Sequence, residues 1–341
     1  MARRVQGDLG PAARADRRVG RSRARLLGWS GVALSVVFAY LALRDVDLDA
    51  LDTALREQDY LWLLPSGAVL AAGVLLRAWR WQLLFEPGRR PPFSHVLSAL
   101  MIGYLFNSIL PARAGELARV LALGSRAGLS RTQVLATVVL ERAFDVLVLV
   151  ALLVVAAPFL PPVDWLTAAV ALGAVAGIGL VAAAVVVRRY GVRAARILLR
   201  PVGWLPGVGR ERVDAMAEGF VAGLVGITVS RVTVNALAVT VLSWFVLAGS
   251  IWLLLLGAGF EGTFGMALLT LIATNLVLVL PSSPGALGAF EAAVVVALGA
   301  YGVDRAEALS FALVLHGLNL LPYLVLGYLA LALHTRATRS R

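Results

Sequence analysis

The sequence predicts an all-α polytopic membrane protein. The expected architecture is six spanning helices plus two re-entrant hairpins, or eight or more spans if the hairpins cross, arranged as an inverted-topology repeat. Three observations carry this. Hydrophobic residues make up 60% of the 341 and charged residues 15%, with mean hydropathy +0.85, the composition of a chain that keeps most of its length in lipid. Apolar runs long enough to span alternate with loops whose arginine content switches between high and absent, which orients them by the positive-inside rule. Two apolar stretches are broken by Pro and Gly at corresponding places in the two halves, a pattern of discontinuous helices around a transport site.

Charge and missing residue types narrow the function. The formal net charge is +11, and all 31 basic side chains are arginine. With no lysine there is no Walker lysine and no Schiff-base lysine. With no cysteine there is no disulfide, thiolate metal site or cysteine nucleophile. Arg3, Arg4, Arg14, Arg17, Arg18, Arg21, Arg23 and Arg25 crowd the N-terminus. Residues 1–25 therefore read as a disordered basic cytoplasmic tail beside anionic lipid, not as a nucleic-acid arm.

In chain order, Leu26–Leu43 is the first span, running from inside to outside; it is longer than a signal-peptide core and no A-x-A cleavage site follows it. The acidic segment Arg44–Tyr60 is an external loop or short surface helix. Leu61–Phe85 returns to the cytoplasm; Trp79 and Trp81 read as an aromatic belt and Arg80 as a snorkelling side chain. Arg77 lies about 12 Å from that end at ~1.5 Å per residue, deep enough to need a partner. Gln133–Ala157 and Leu166–Val187 are spans, the latter with Gly173 and Gly177 as a small-residue packing face. A basic cytoplasmic connector covers 188–231, with Val213, Met216, Phe220, Leu224 and Ile227 on one helical face. Val232–Gly257 and Ser310–Leu333 complete the spans, and 336–341 form a cytoplasmic tail. Both termini are thus cytoplasmic. The half-repeats, about 61–157 and 232–333, have opposite orientation.

The two broken stretches are the candidate site. Asn275–Glu291 reads NLVLVLPSSPGALGAFE. Pro281 and Pro284 stop a helix, and Gly285 and Gly288 permit a tight tip. Asn107–Glu116 reads NSILPARAGE, with Asn107, Pro111, Arg113, Gly115 and Glu116 echoing Asn275, Pro281, Gly285 and Glu291. Broken backbone at membrane depth is tolerated only where it is buried or lines a wet cavity. The helices that restart after each tip point N-termini inward, where free N–H groups and the helix dipole attract anions. Arg113 and Arg119 add positive charge; Glu116 and Glu291 either bind ligand or cap and pair locally.

Glu141, Arg142 and Asp145 fall within one turn of an apolar span, where each charge costs about 2.5–3.5 kcal/mol on insertion scales. They are either a self-neutralising structural triplet, with Arg142 and Asp145 paired at i,i+3, or the wall of a polar cavity with Arg77 opposite. Other signals fail. Gly257–Gly262 fits GxGxxG without a βαβ setting. His95, His316 and His334 have no metal-ligand spacing, and no cofactor or metal site is expected. His316 and Asn319 read as interhelical hydrogen-bond partners.

The motifs Asn107–Arg119, Leu140-Glu141-Arg142-x-x-Asp145 and Pro281–Glu291 together resemble the lysylphosphatidylglycerol synthase transmembrane-region family, the flippase-like membrane domain of the multiple peptide resistance factor. The resemblance covers roughly residues 25–335 and implies a flippase-like domain over 26–335, with re-entrant helices around a lipid-accessible cavity. The implied activity is movement of a phospholipid, such as aminoacylated phosphatidylglycerol, between leaflets of the plasma membrane. In fused members a soluble domain makes the aminoacyl lipid; this chain ends at Arg341, so synthase activity, and enzymatic activity generally, is not expected. Three readings follow. One is a lipid flippase whose head-group path runs over Arg77, Arg113, Glu116, Arg119, Glu141, Arg142, Asp145 and Glu291. Another is a membrane partner, in an oligomer or otherwise, of a separately encoded synthase or glycosyltransferase. The third is a membrane-embedded lipid transferase using Glu116 and Glu141. Membrane phospholipids are the expected partners, and nucleic acid is not.

Overall fold

The computed structural model describes residues 36–44, 46–110, 114–161, 164–200, 213–214, 216–218, 221, 231–277 and 283–339, and among these every regular element is a helix. Of the first expected span, residues 36–43 are described and helical. The rest of it lies outside the described residues, as do residues 1–25, Pro111, Ala112, Arg113, Pro281, and Phe220, Leu224 and Ile227 of the connector.

The acidic segment forms α1, Leu48–Glu57, capped by Asp47, whose carboxylate accepts from the Asp49 and Ala50 amides. A 3-10 turn, Tyr60–Trp62, leads into α2, Leu63–Leu83. Then come α3, Phe93–Ile109; α4, Gly115–Ala127; α5, Arg131–Ala156; α6, Asp164–Tyr190; and α7, Val192–Leu199. After the connector follow α8, Arg231–Gly257; α9, Phe264–Val277; α10, Ala289–Gly299; and α11, Arg305–Arg339. Tyr60–Leu83, Arg231–Gly257 and Arg305–Arg336 are long and apolar enough to cross a membrane. Phe93–Ile109, Phe264–Val277 and Pro284–Gly299 are apolar but shorter. At ~1.5 Å per residue, α3 and α9 reach about 25 and 21 Å, short of a ~30 Å hydrocarbon core.

Helices α2 and α8 form the central pair and run antiparallel. Reading down α2, Trp62 meets Gly257, Ser66 meets Ser250, Gly73 meets Leu247, and Arg77 meets Trp244. Small residues set the approach: a Cβ on Gly73 would lie 2.7 Å from Leu247 Cδ2, and one on Gly257 2.4 Å from Trp62 Cβ. Ser66 Oγ donates to the Ser250 carbonyl at 2.7 Å and Ser250 Oγ to the Ser66 carbonyl at 2.9 Å. These reciprocal bonds satisfy buried hydroxyls where lipid offers no partner.

Two antiparallel helical pairs pack around this centre. In the first, α3 and α4 fold back on each other. Gly115 sits so close that a Cβ there would lie 1.9 Å from the Gly103 carbonyl, and Arg126 reaches Ser98. In the second, α9 and α10 close with Gly265 beside Tyr301. The 3-10 turn Pro284–Ala286 that precedes α10 packs against α3, with Gly285 facing the Ser108 carbonyl. The two broken stretches therefore meet. Helix α11 lies along α3, where Gly327 admits Leu105 and the Met101 carbonyl. Gly173 and Gly177 of α6 face Val150 and Leu147 of α5 as expected of a small-residue face. One apolar cluster joins α8, α9, α10 and α11; a second joins the C-terminal part of α2 to α3, α4 and the N-terminal half of α5. Within the second sits a knot of charge.

Candidate functional site

Four helices supply this knot. Arg77 and Arg80 stand one turn apart on α2, Glu116 and Arg119 one turn apart on α4, and Glu141, Arg142 and Asp145 share a turn of α5. At i,i+3 each pair lies on one helix face, and α8 brings Trp244 beside Arg77.

Glu141 is the hub. Its Oε1 accepts from Arg80 Nη2 at 2.8 Å and Arg142 Nη2 at 2.9 Å, and its Oε2 accepts from Arg119 Nη1 at 2.9 Å. Arg80 also forks onto Asp145, donating from Nη1 to Oδ1 and from Nη2 to Oδ2. Arg119 Nη2 lies 2.5 Å from Glu116 Oε2, and Arg142 Nη2 lies 3.4 Å from Asp145 Oδ2. The Arg119 guanidinium rests 4.8 Å over the Trp81 ring, whose Nε1 donates to Thr137 Oγ1 at 3.0 Å. Arg77 rests 4.7 Å over Trp244 and, among the described residues, has no carboxylate within ion-pair reach. It lies beside Tyr104, which stacks on Tyr323 with ring centroids 4.5 Å apart.

Burial grades the knot. Arg80, Arg119, Glu141 and Asp145 are closed off, whereas the Arg142 side chain is 39% exposed and that of Glu116 25%. Four guanidinium groups and three carboxylates leave one surplus positive charge, and the less buried members are Arg142, Glu116 and Arg77. A core of paired charge thus carries a cationic edge. Chemically, that edge suits an anion such as a phosphate.

Arg80 corrects the sequence reading. It is fully buried and does not snorkel. Its neighbour Trp81 is equally buried, while Trp79 is exposed, so only one of the two tryptophans faces outward as a belt residue would. The i,i+3 spacing of Arg77 and Arg80 was the available signal. Arg77, Glu116, Arg119, Glu141, Arg142 and Asp145 come together; Arg113 lies outside the described residues.

Glu291 belongs to a different site. Its Oε2 accepts from the Gly288 amide at 2.6 Å, and its Oε1 lies 2.6 Å from His316 Nδ1 of α11. His316 Nε2 lies 2.9 Å from the Gly285 carbonyl, and Phe290 packs on the imidazole. His316 is an interhelical partner as expected. Asn319 instead donates to the Leu315 carbonyl of its own helix, and Asn275 likewise to Leu271. The helix N-termini are also less open than expected. The Gly115 amide donates to Asn107 Oδ1 at 2.9 Å, and the Gly288 amide is taken by Glu291.

A separate cavity of about 550 Å³ opens between residues 38–44, α9 and α10; Phe38, Leu276 and Val296 are among its apolar walls, and Arg44 and Arg305 also line it.

Residues 28–327 match the family described as the lysylphosphatidylglycerol synthase TM region. The chain is also 25% identical over 326 residues to the glycosyltransferase AglD of Haloferax volcanii, a match covering 85% of this chain and 51% of AglD. The chain thus spans about half the length of that curated relative.

Proposed function

Because this chain belongs to the lysylphosphatidylglycerol synthase TM-region family, we propose that it is a lipid translocator of the plasma membrane, without enzymatic activity of its own. It passes a phospholipid head group, aminoacylated phosphatidylglycerol or another lipid phosphate, between leaflets. The observation that carries this reading is the graded ion knot. Its buried members hold one another in place, and its surplus positive charge lies beside the less buried Arg77, Glu116 and Arg142. A lipid phosphodiester carries one negative charge and accepts bidentate guanidinium bonds, so it would neutralise the surplus while its acyl chains stay in lipid. Glu116 adds an acceptor for an ammonium or hydroxyl on the same head group. An apolar cavity with two arginines in its lining offers a second place compatible with an amphipathic lipid.

The short helical pairs fit this role as re-entrant hairpins, and the antiparallel α2–α8 pair fits two half-repeats of opposite orientation with both termini cytoplasmic. The purified chain in proteoliposomes should move fluorescent phospholipids with head-group selectivity. Arg142→Ala should remove that selectivity while the protein stays folded. Equal movement of every head group by wild type and variant would refute the reading.

A second reading has one observation in its favour. The matched relative is named a glycosyltransferase and extends well beyond the matched region. On this reading the chain is a membrane partner of a separately encoded lipid synthase or glycosyltransferase. It predicts stable co-purification with such an enzyme and no lipid movement by the chain alone.

A further inference from the structure

The bonds around His316 fix its hydrogens. The Gly285 carbonyl can only accept, so Nε2 at 2.9 Å must carry a hydrogen. The Gly288 amide can only donate, so Glu291 Oε2 at 2.6 Å must accept. Between His316 Nδ1 and Glu291 Oε1, 2.6 Å apart, a hydrogen must lie as well. It belongs either to an imidazolium facing a carboxylate or to a carboxylic acid facing a neutral imidazole. Both forms hold the same number of protons.

Remove that proton and the imidazole has one N–H for two acceptors, Glu291 Oε1 and the Gly285 carbonyl. Either tautomer satisfies one and sets a lone pair against the other. The contact at stake pins a tip that needs pinning. Gly285, Ala286 and Gly288 have φ of 68°, 56° and 80°, and for Ala286, which has a Cβ, the left-handed region is unfavourable. That tip presses on α3 at Ser108, next to Asn107, which caps α4 of the ion knot.

We propose that Glu291 and His316 form a binding site for a single proton, and that its occupancy locks the Gly285–Gly288 tip against α3. The proton-loaded pair holds the tip as seen here; the unloaded pair releases it. A role for this proton as the coupling ion of transport rests on the translocator reading; the lock itself does not. No other described charge competes at the site. Helices α8 and α9 present no titratable side chain beyond Arg231 at the start of α8, and Glu291 is the titratable residue of α10. On α3, Tyr104 meets α11 at Tyr323, and α4 meets it at His334 through Ser125. The titratable residues of α1 (Asp49, Asp52, Arg56 and Glu57) lie just before Gln58, which binds Ser310. On α11 itself His316 is flanked at a distance by Glu307 and Tyr323.

The absence of native cysteine allows a direct test. Leu287, 55% exposed at the tip, is replaced as Leu287→Cys in the full chain in lipid nanodiscs, and its maleimide labelling rate is followed from pH 5 to 9. Each rate is divided by that of the same cysteine combined with Glu291→Gln, which cancels the titration of the thiol. The Gln amide donates to a neutral Nδ1 and accepts from Gly288 without needing the shared proton, so it mimics the loaded pair. The ratio should be near one at low pH and then rise, by up to about tenfold per pH unit, the slope of one proton. With His316→Ala labelling should be fast at every pH. A ratio flat with pH, or Glu291→Gln labelling as fast as His316→Ala, overturns the lock. A lock that titrates while lipid movement in proteoliposomes ignores a pH gradient overturns the coupling role alone. Absence of any lipid movement refutes the translocator without touching the lock.

Discussion

The two broken stretches resemble each other in sequence and differ in how their charge is held. The first, Asn107–Glu116, is capped by a neutral amide: Asn107 accepts from the Gly115 amide. Its carboxylate, Glu116, faces Arg119 and Arg142, groups that keep their charge at any physiological pH. The second is capped by its own carboxylate, Glu291, which shares one hydrogen with the imidazole of His316. One tip therefore sits on arginine–carboxylate pairs and the other on a single shared proton. A repeated backbone motif can carry two jobs: permanent charge suits recognition of a head group, and exchangeable charge suits coupling.

The sharpest way to break this contrast is to remove the hub. Glu141→Ala leaves Arg80, Arg119 and Arg142 without their shared acceptor, and breaking a buried ion pair from one side costs about 3–5 kcal/mol. We expect a large fall in the thermal midpoint and in monodisperse yield. Glu291→Ala should cost clearly less, because it strips one bond each from His316 and the Gly288 amide, whereas the hub serves three guanidinium groups. Equal losses in a side-by-side thermal unfolding assay would erase the distinction between the two sites.

A smaller effect tests the neutral cap. Asn107→Ala frees the Gly115 amide and should cost about 1 kcal/mol, the usual worth of a lost helix cap, with no pH dependence between 5 and 9. A pH-dependent loss would mean that the first tip also rests on a titrating group. The smallest expected effect lies away from both tips. Ser66→Ala removes one of two reciprocal bonds in the α2–α8 pair and should cost about 0.6 kcal/mol, the average for such bonds in membrane helices. A much larger loss would make that pair, and not the ion knot, the main determinant of stability.

Much of this was legible in the sequence. Apolar runs, Pro and Gly breaks and small-residue faces are local signals, and Gly173 and Gly177 pack on α5 as their spacing implies. The triplet Glu141, Arg142 and Asp145 announced a polar site by its cost in lipid. Partnership was harder to read. Arg80 lies between Trp79 and Trp81 near a helix end, which imitates an interfacial belt; only the approach of α5 shows that it faces inward onto Asp145. Glu291 looked like a member of the same path because the two stretches echo each other, yet its partner, His316, is fixed by how α10 packs on α11. The amides expected to await an anion at Gly115 and Gly288 are taken by side chains three to eight residues earlier or later, a choice that depends on the fold of the tip.

On the translocator reading, the exposed edge of the ion knot handles lipid head groups. The most direct test is head-group-selective translocation in proteoliposomes by the wild type and by Arg142→Ala, with thermal midpoints measured on the same preparations. On that reading the wild type moves lipids bearing a phosphate selectively, and the variant loses that movement at a midpoint within a few degrees of wild type. Undiminished selective movement by Arg142→Ala would contradict it.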